Sequence, residues 1–392
     1  MKTIKFILFL FISANCFGQS ISELINKVDG SGLEVMLKEF SGEISTVVNG
    51  STVTILNRQS HQNDISKDYL VQKLESFGNL SVTSDAYSTN GTNVIATQTG
   101  SKNPNEVLVI CGHYDTVTNY CADDNATGTV AILEVACVLS QYCFDNTIQY
   151  ILFDEEEIGL LGSKHYVTNF SSSQNLIGAI NLDMMGYDKD QADDAPIHVR
   201  DKGNSIALKD DAVSILNTYS TEIGLTPNVV DPGIDASDNY HFWLNGKTAI
   251  MISDADGFSD LSPHYHSSND RVSTLDLPYY YKMVRFFLGL TAKKAVISQT
   301  QNCNDLNNPD FELGKKPLIY PNPTDQFVTI DLFDNVFNEA SVTIRNSLGV
   351  TIFKKPINNL VTKIDLANIK PGLYIITVNN SGKHTSQKLI LK

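Results

Sequence analysis

Up to about residue 297 the chain alternates between short runs rich in Val, Ile and Leu, apolar on both faces, and longer segments of helical periodicity. The strand-like runs are Asn93 to Thr97, Val107 to Cys111, Thr147 to Phe153, Ile177 to Leu182, Pro196 to Val199 and Thr248 to Ile252. Helical patterns fall between or after them at Thr129 to Leu139, Ser163 to Phe170, Ser205 to Ile223 and Pro278 to Ile297. Pro278 suits the first helical position, where no N–H is needed. A strand that is apolar on both faces must be covered on both faces. The alternation therefore predicts an α/β fold, a mostly parallel mixed sheet flanked by helices.

An Asn- and Asp-rich linker at residues 301–316 ends this pattern. Short alternating runs follow at Phe327 to Leu332, Ser341 to Arg345, Thr351 to Phe353, Gly372 to Val378 and Ser386 to Leu391, separated by turn residues. They predict a small C-terminal β-sandwich over 317–392. A chain of 392 residues also calls for two domains, because single cores stop growing near about 250–300 residues. At the other end, Lys2 and Lys5, the apolar run Phe6 to Ile12 and a less apolar tail to Gly18 have the layout of a secretory signal peptide. Residues 1–18 are then a leader and 19–300 the α/β domain.

Composition bounds the partners. Apolar residues make up 42% and charged residues 19%, as in folded globular chains. The net charge of −15 argues against nucleic acid or an anionic membrane as the main partner. Nowhere do about eighteen uncharged apolar residues run together, so no integral membrane segment is expected in the mature protein. The acidity belongs to the first domain: residues 19–316 hold 19 Lys+Arg against 39 Asp+Glu, and residues 317–392 eight against five. Five cysteines remain after residue 18, an odd number without C-x-x-C spacing, which argues against a zinc ribbon or a dense disulfide framework.

Three of the strand-like runs end in the same kind of residue. The first runs into His113-Tyr114-Asp115, the second into Asp154-Glu155-Glu156-Glu157 and the third into Asp183. The carboxyl ends of strands in an open α/β sheet form the crevice where ligands bind. Loops add Asp123-Asp124 directly before a helix and His264-Tyr265-His266 further on. Taken singly, each has a plain reading: an N-cap, a solvated first helical turn, a surface imidazole. His61, His165, His198 and His384 keep that reading. Together the others make a converging acidic site whose carboxylates would repel one another. Divalent cations relieve that, and mixed imidazole and carboxylate donors suit zinc.

Residues from about 93 to 290 resemble the secreted co-catalytic zinc aminopeptidases of metallopeptidase family 28. The resemblance rests on Gly112-His113-Tyr114-Asp115, Ala122 to Gly128, Glu156 to Ser163, Asn181-Leu182-Asp183-Met184 and His266-Ser267-Ser268-Asn269-Asp270. It implies a zinc exopeptidase-like fold and two Zn2+ ions, with Asp124 bridging them. His113 and Asp183 would complete one metal, Glu157 and His266 the other. Glu156 would be the general base, and Asp115 would hold the His113 ring. His266 is preferred to His264 and His241 for its Ser-Ser-Asn-Asp tail. The Asp124–Asn125 peptide bond would be cis. Asp238, in a segment that resembles one near the family's site, receives no ligand role. Tyr240, Phe242 and Trp243 serve either a pocket or the core.

The implied activity is hydrolysis of N-terminal residues from peptide or protein substrates with free N-termini. Alternatives are a glutaminyl cyclase, a relative that uses one zinc and no hydrolytic water, a carboxypeptidase or dipeptidase of the same family, or a catalytically dead surface binding protein. The C-terminal piece, through Tyr320-Pro321-Asn322-Pro323, Gly372 to Ile376 and Gln387 to Lys392, resembles the type A sorting domain of the type IX secretion system. That implies the type IX secretion machinery as a partner, and a secreted or cell-surface location in a Gram-negative bacterium. Residues 19–92 show helical patterns at Ser22 to Val28, Leu33 to Phe40 and Ser66 to Phe77, with Asp29 to Gly32 separating the first pair. They either pack on the catalytic sheet or form, over some of their length, a removable prosegment.

Overall fold

The computed structural model describes residues 20–298 and 318–391, except 321–323, 325, 332–339, 347–349, 358, 360, 368 and 381–382. The expected leader at 1–18 and linker at 301–316 lie outside the described residues. The chain divides into two compact units, Met1–Cys303 and Asn304–Lys392.

In the first unit a hairpin of β1 (Thr46–Val48) and β2 (Ser51–Val53) precedes the main sheet. That sheet comprises β3 (Ser81–Ala86), β4 (Thr92–Gln98), β5 (Asn103–His113), β6 (Asn146–Phe153), β7 (Asn175–Leu182), β8 (Asp194–His198), β9 (Thr226–Val230) and β10 (Ala249–Ile252). The order across it is β3-β4-β6-β5-β7-β10-β8-β9. The central strands β6, β5, β7 and β10 are parallel. Antiparallel pairing joins β3 to β4, β4 to β6 and β8 to β10. His113 lies opposite Phe153, Cys111 opposite Asn181 and Leu182 opposite Ile252, so the carboxyl ends of four strands share one edge.

The apolar runs are continuous because alternate residues serve different cores. Leu108, Ile110, Tyr150, Leu152, Ile180 and Ile250 face the larger core. It includes side chains from α2 (Gly30–Phe40), α3 (Asp64–Ser76), α4 (Gly128–Leu139), α6 (Ser205–Thr218) and α9 (Leu277–Ala295). Val107, Val109, Cys111, Ile151 and Ala179 face the other side, under α5 (Leu161–Asn169) and α8 (Asn239–Leu244). Each such fully buried aliphatic side chain contributes about 1.5–3 kcal/mol.

The N-terminal segment shares the larger core through Leu24 and Ile25 of α1 (Ile21–Ile25), Leu37 and Phe40 of α2, and Leu70 and Leu74 of α3. Gly30 to Gly32 do not separate one helix from the next as expected. They form the first turn of α2, because the Asp29 carboxylate accepts from the Ser31 amide and caps it. The segment expected as one helix from Ser205 to Ile223 breaks at Tyr219, giving α7 (Ser220–Ile223). Pro278 occupies the second helical position, one later than expected, since Asp276 is the cap. Among the described residues no helix is long and apolar enough to cross a membrane. Cys143 is disulfide-bonded, while Cys111, Cys121 and Cys137 are free thiols.

The second unit contains β11 (Leu318–Tyr320), β12 (Phe327–Asp331), β13 (Ser341–Asn346), β14 (Thr351–Pro356), β15 (Val361–Asp365), β16 (Gly372–Asn380) and β17 (Lys383–Leu391). They form two antiparallel sheets, β11-β12-β15 and β14-β13-β16-β17. Val328, Ile330 and Ile364 of one meet Val342, Ile344, Ile376 and Val378 of the other in a shared core. This is the sandwich that the alternating runs predict.

Candidate metal centre

His113 closes β5, the turn after β6 carries Glu156 and Glu157, and Asp183 follows β7. Asp124 sits at a kink in the turn Ala122–Thr127 that leads into α4, with non-helical backbone at Asp124 and Asn125. These elements bring the carboxylates and imidazoles to one point. His113 Nε2 lies 3.3 Å from Asp124 Oδ1, 3.4 Å from Asp183 Oδ1 and 4.0 Å from Glu156 Oε2. His266 Nε2 lies 3.1 Å from Asp124 Oδ2 and 3.3 Å from Glu157 Oε2. The two oxygens of Asp124 thus face two different groups, His113 with Asp183 on one side and Glu157 with His266 on the other. A third grouping joins His113, Glu156 and Glu157. Neither His241, His264 nor Asp238 belongs to any such group among the described residues.

The loops around these side chains are fixed by buried hydrogen bonds. The Asp115 carboxylate accepts from the Glu156 amide at 3.0 Å and the Glu157 amide at 3.2 Å, and lies 3.6 Å from His113 Nδ1. It therefore ties the His113 ring to the turn after β6. Asp270 accepts from the Asp123 and Asp124 amides. The fully buried Arg58 guanidinium donates to the carbonyls of Phe40, Tyr114, Tyr120 and Cys121, clamping the end of α2 to the connection between β5 and the turn that carries Asp124. Asp270 closes the motif that begins at His266, but Arg58 has no periodicity or motif signal, because its partners are backbone groups distant in sequence. The Asp124–Asn125 peptide is cis. Left-handed φ at Cys121, Glu155, Met184 and His266 places strained backbone around the site, where function commonly concentrates it. A Cβ on Gly128 would collide with Asn125 Oδ1 and lie 2.9 Å from Leu182 O, so this position excludes a side chain.

The electrostatics follow from burial and crowding. Burial raises the Glu156 carboxyl well above its ordinary value, against the pull of His113. Burial and Asp124 push Glu157 up to about 7. Burial opposes charge on His113, but Glu156 and Asp183 outweigh it and raise the imidazole. Hydrogen bonds to Asp124 and Glu157 raise His266 to about 10. Asp124 is held below the usual carboxylate range, because hydrogen bonds from His113 and His266 overcome its burial. Glu157 Oε1 is buried without a hydrogen-bond partner. An unpartnered oxygen among buried carboxylates, the buried His113 and the more exposed His266 is a donor set that fits divalent zinc. Asp123 differs from its neighbour: its Oδ1 accepts from the Gly186 amide, away from the two groups.

A cleft of about 510 Å³ opens beside the cluster. Its apolar lining includes Ile234, Ala236, Met251, Phe258 and Leu261. Phe242 and Trp243 do not line it, being buried in the core under α8. Tyr240 packs edge-on against His241 instead.

The family model described as Peptidase family M28 matches residues 93–291, about half of the chain and the stretch that carries all the clustered residues. The chain belongs to peptidase family M28. This M28 chain is 30% identical over 171 residues to Aminopeptidase YwaD of Bacillus subtilis, covering 43% of its own length and 36% of that protein. It thus spans well under two thirds of that relative's length. Its fold matches the LapA aminopeptidase of Legionella pneumophila with a TM-score of 0.60 at 18% identity, over 70% of this chain and 74% of that one. The glutaminyl cyclase of Porphyromonas gingivalis shares the fold as well, with a TM-score of 0.55 at 16% identity over 68% and 98% of the two chains. Residues 318–392 match the secretion system C-terminal sorting domain.

Proposed function

We propose that this M28 chain is a secreted aminopeptidase that hydrolyses N-terminal residues from peptides. The observation that carries the reading is Asp124, whose two oxygens face two His-and-carboxylate groups. His113, Asp124 and Asp183 would hold one zinc ion, and Asp124, Glu157 and His266 the other. When bound, such a pair polarises a substrate carbonyl and makes water a better nucleophile. The chain's own residues do the rest. Glu156, a buried carboxylate of raised proton affinity, accepts the proton of the attacking water and delivers it to the leaving amine. Asp115 fixes the His113 ring and, through the Glu156 amide, the position of that base. The apolar lining of the cleft receives the side chain of the N-terminal residue, favouring large apolar ones.

A glutaminyl cyclase shares the fold, so fold does not choose between them. The second group, Asp124 with Glu157 and His266, favours a dinuclear hydrolase. Assays with free-amine leucyl, N-acetyl-leucyl, dipeptidyl and glutaminyl substrates test the choice. Stepwise release of single N-terminal residues from the free-amine substrates, and none from the N-acetyl one, is expected; cyclisation of the glutaminyl substrate with no hydrolysis would overturn it.

The domain assignment belongs to the same proposal. Residues 1–18 direct export, 19–300 form the catalytic domain, 301–316 link, and 317–392 engage the type IX secretion machinery. The burial of α1, α2 and α3 in the larger core favours keeping residues 20–77 in the catalytic domain. Truncation after Lys316 is expected to strand the active enzyme inside the cell; normal secretion of the truncated chain would remove the sorting role.

A further inference from the structure

A second cleft, of about 730 Å³, meets the first at Glu157. Three segments line it: residues 59–62, residues 115–117 and residues 157–158. The first of these lies ahead of the residues that match the family model. It is rigidly held. Asn57 pairs with Asn119, the Gln59 amide group donates to the Val117 carbonyl, and the Asn57 side chain donates to Gln62 Oε1. Ser60 Oγ donates to Glu155 Oε1 and so ties the wall to the turn that carries Glu156.

The lining differs in kind from that of the first cleft. Its two carboxylates lie where it meets the metal centre, and Asp115 is already committed to His113 and two amides. Beyond them are exposed His61 and Ile158, which is 55% exposed, with Thr116 and Val117. Among the described residues no further cluster of ligating groups lies here for an ion. Neutral polar groups beside an exposed aliphatic side chain suit an extended peptide, with its amides and mid-sized side chains. The first cleft is the recess in which the N-terminal side chain ends, and the rest of the substrate must leave past Glu157. We infer that the second cleft is a subsite for the residues that follow the scissile bond, making oligopeptides rather than dipeptides or amino acid amides the preferred substrates. This rests on the aminopeptidase reading above.

The test uses the full zinc-loaded chain with leucine arylamide, Leu-Gly and Leu-Gly-Gly-Gly. The value of kcat/KM is expected to rise about tenfold from the dipeptide to the tetrapeptide, the scale on which one added contact discriminates substrates. His61→Trp and Ile158→Trp, placed on opposite segments, each fill the cleft and are expected to lower the tetrapeptide-to-arylamide ratio about tenfold. Arylamide turnover by each variant reports that it has folded, and the length dependence of the wild-type chain needs no variant. Turnover of all three substrates without length dependence, or a ratio unmoved by both substitutions, overturns this inference alone. A wild-type chain that hydrolyses none of them overturns the aminopeptidase reading, and this subsite with it.

Discussion

Glu156→Gln is expected to keep two zinc ions per chain while lowering kcat on leucine arylamide by roughly 10²- to 10⁴-fold, the usual contribution of a positioned general base. The amide is nearly isosteric with the carboxylate but accepts no proton. Its backbone N–H still donates to Asp115, so the turn after β6 keeps its shape. The carboxylate is 4.0 Å from His113 Nε2, farther than those of Asp124 and Asp183, which suits a base beside the donors rather than a donor itself. Metal analysis alongside steady-state kinetics checks this. Activity near that of the wild type would remove Glu156 from the base role, and loss of zinc would make it a ligand instead.

Asp124→Ala is expected to have the larger effect on metal content, because one substitution removes a donor from both groups. Affinity for zinc should fall by well over about 100-fold, since even outer partners of metal ligands account for 10- to 100-fold. Hydrolysis should become undetectable. The neighbouring Asp123→Asn is the matched control: that carboxylate accepts from Gly186 and faces away from the groups, so both ions should remain. If the two variants retain zinc equally, Asp124 does not bridge.

The parallel sheet is legible in the sequence because β5, β6 and β7 are apolar on both faces, and their ends carry the site because a strand end fixes the direction of the next side chain. The outer strands are not. β3 is mostly exposed and polar, and β9 contains Pro227 and half-exposed residues, so neither shows the uniform burial or clean alternation that marks a strand. The six-residue α8 is too short for periodicity to register. In the second unit, β15 is hidden for the same reason as β3, with burial confined to Ile364.

At the site, short motifs on neighbouring strand ends make the cluster readable, whereas its supports are not. Arg58 acts through backbone carbonyls in three separate segments, and a lone arginine in the sequence carries no mark of that. The apolar lining of the first cleft is likewise out of reach. It gathers Ile234, Met251, Phe258 and Leu261 from different loops and a strand, and the nearby aromatic run of α8 turns inward to the core. Phe258 is 69% exposed, a cost in apolar contact with water that a substrate side chain would relieve.

Zinc titration of the chelator-stripped chain tests whether two ions share Asp124. Two equivalents per chain are expected to bind, with free-amine-dependent hydrolysis appearing as they do. Binding of a single equivalent with full activity, or full activity in the stripped chain, would contradict it.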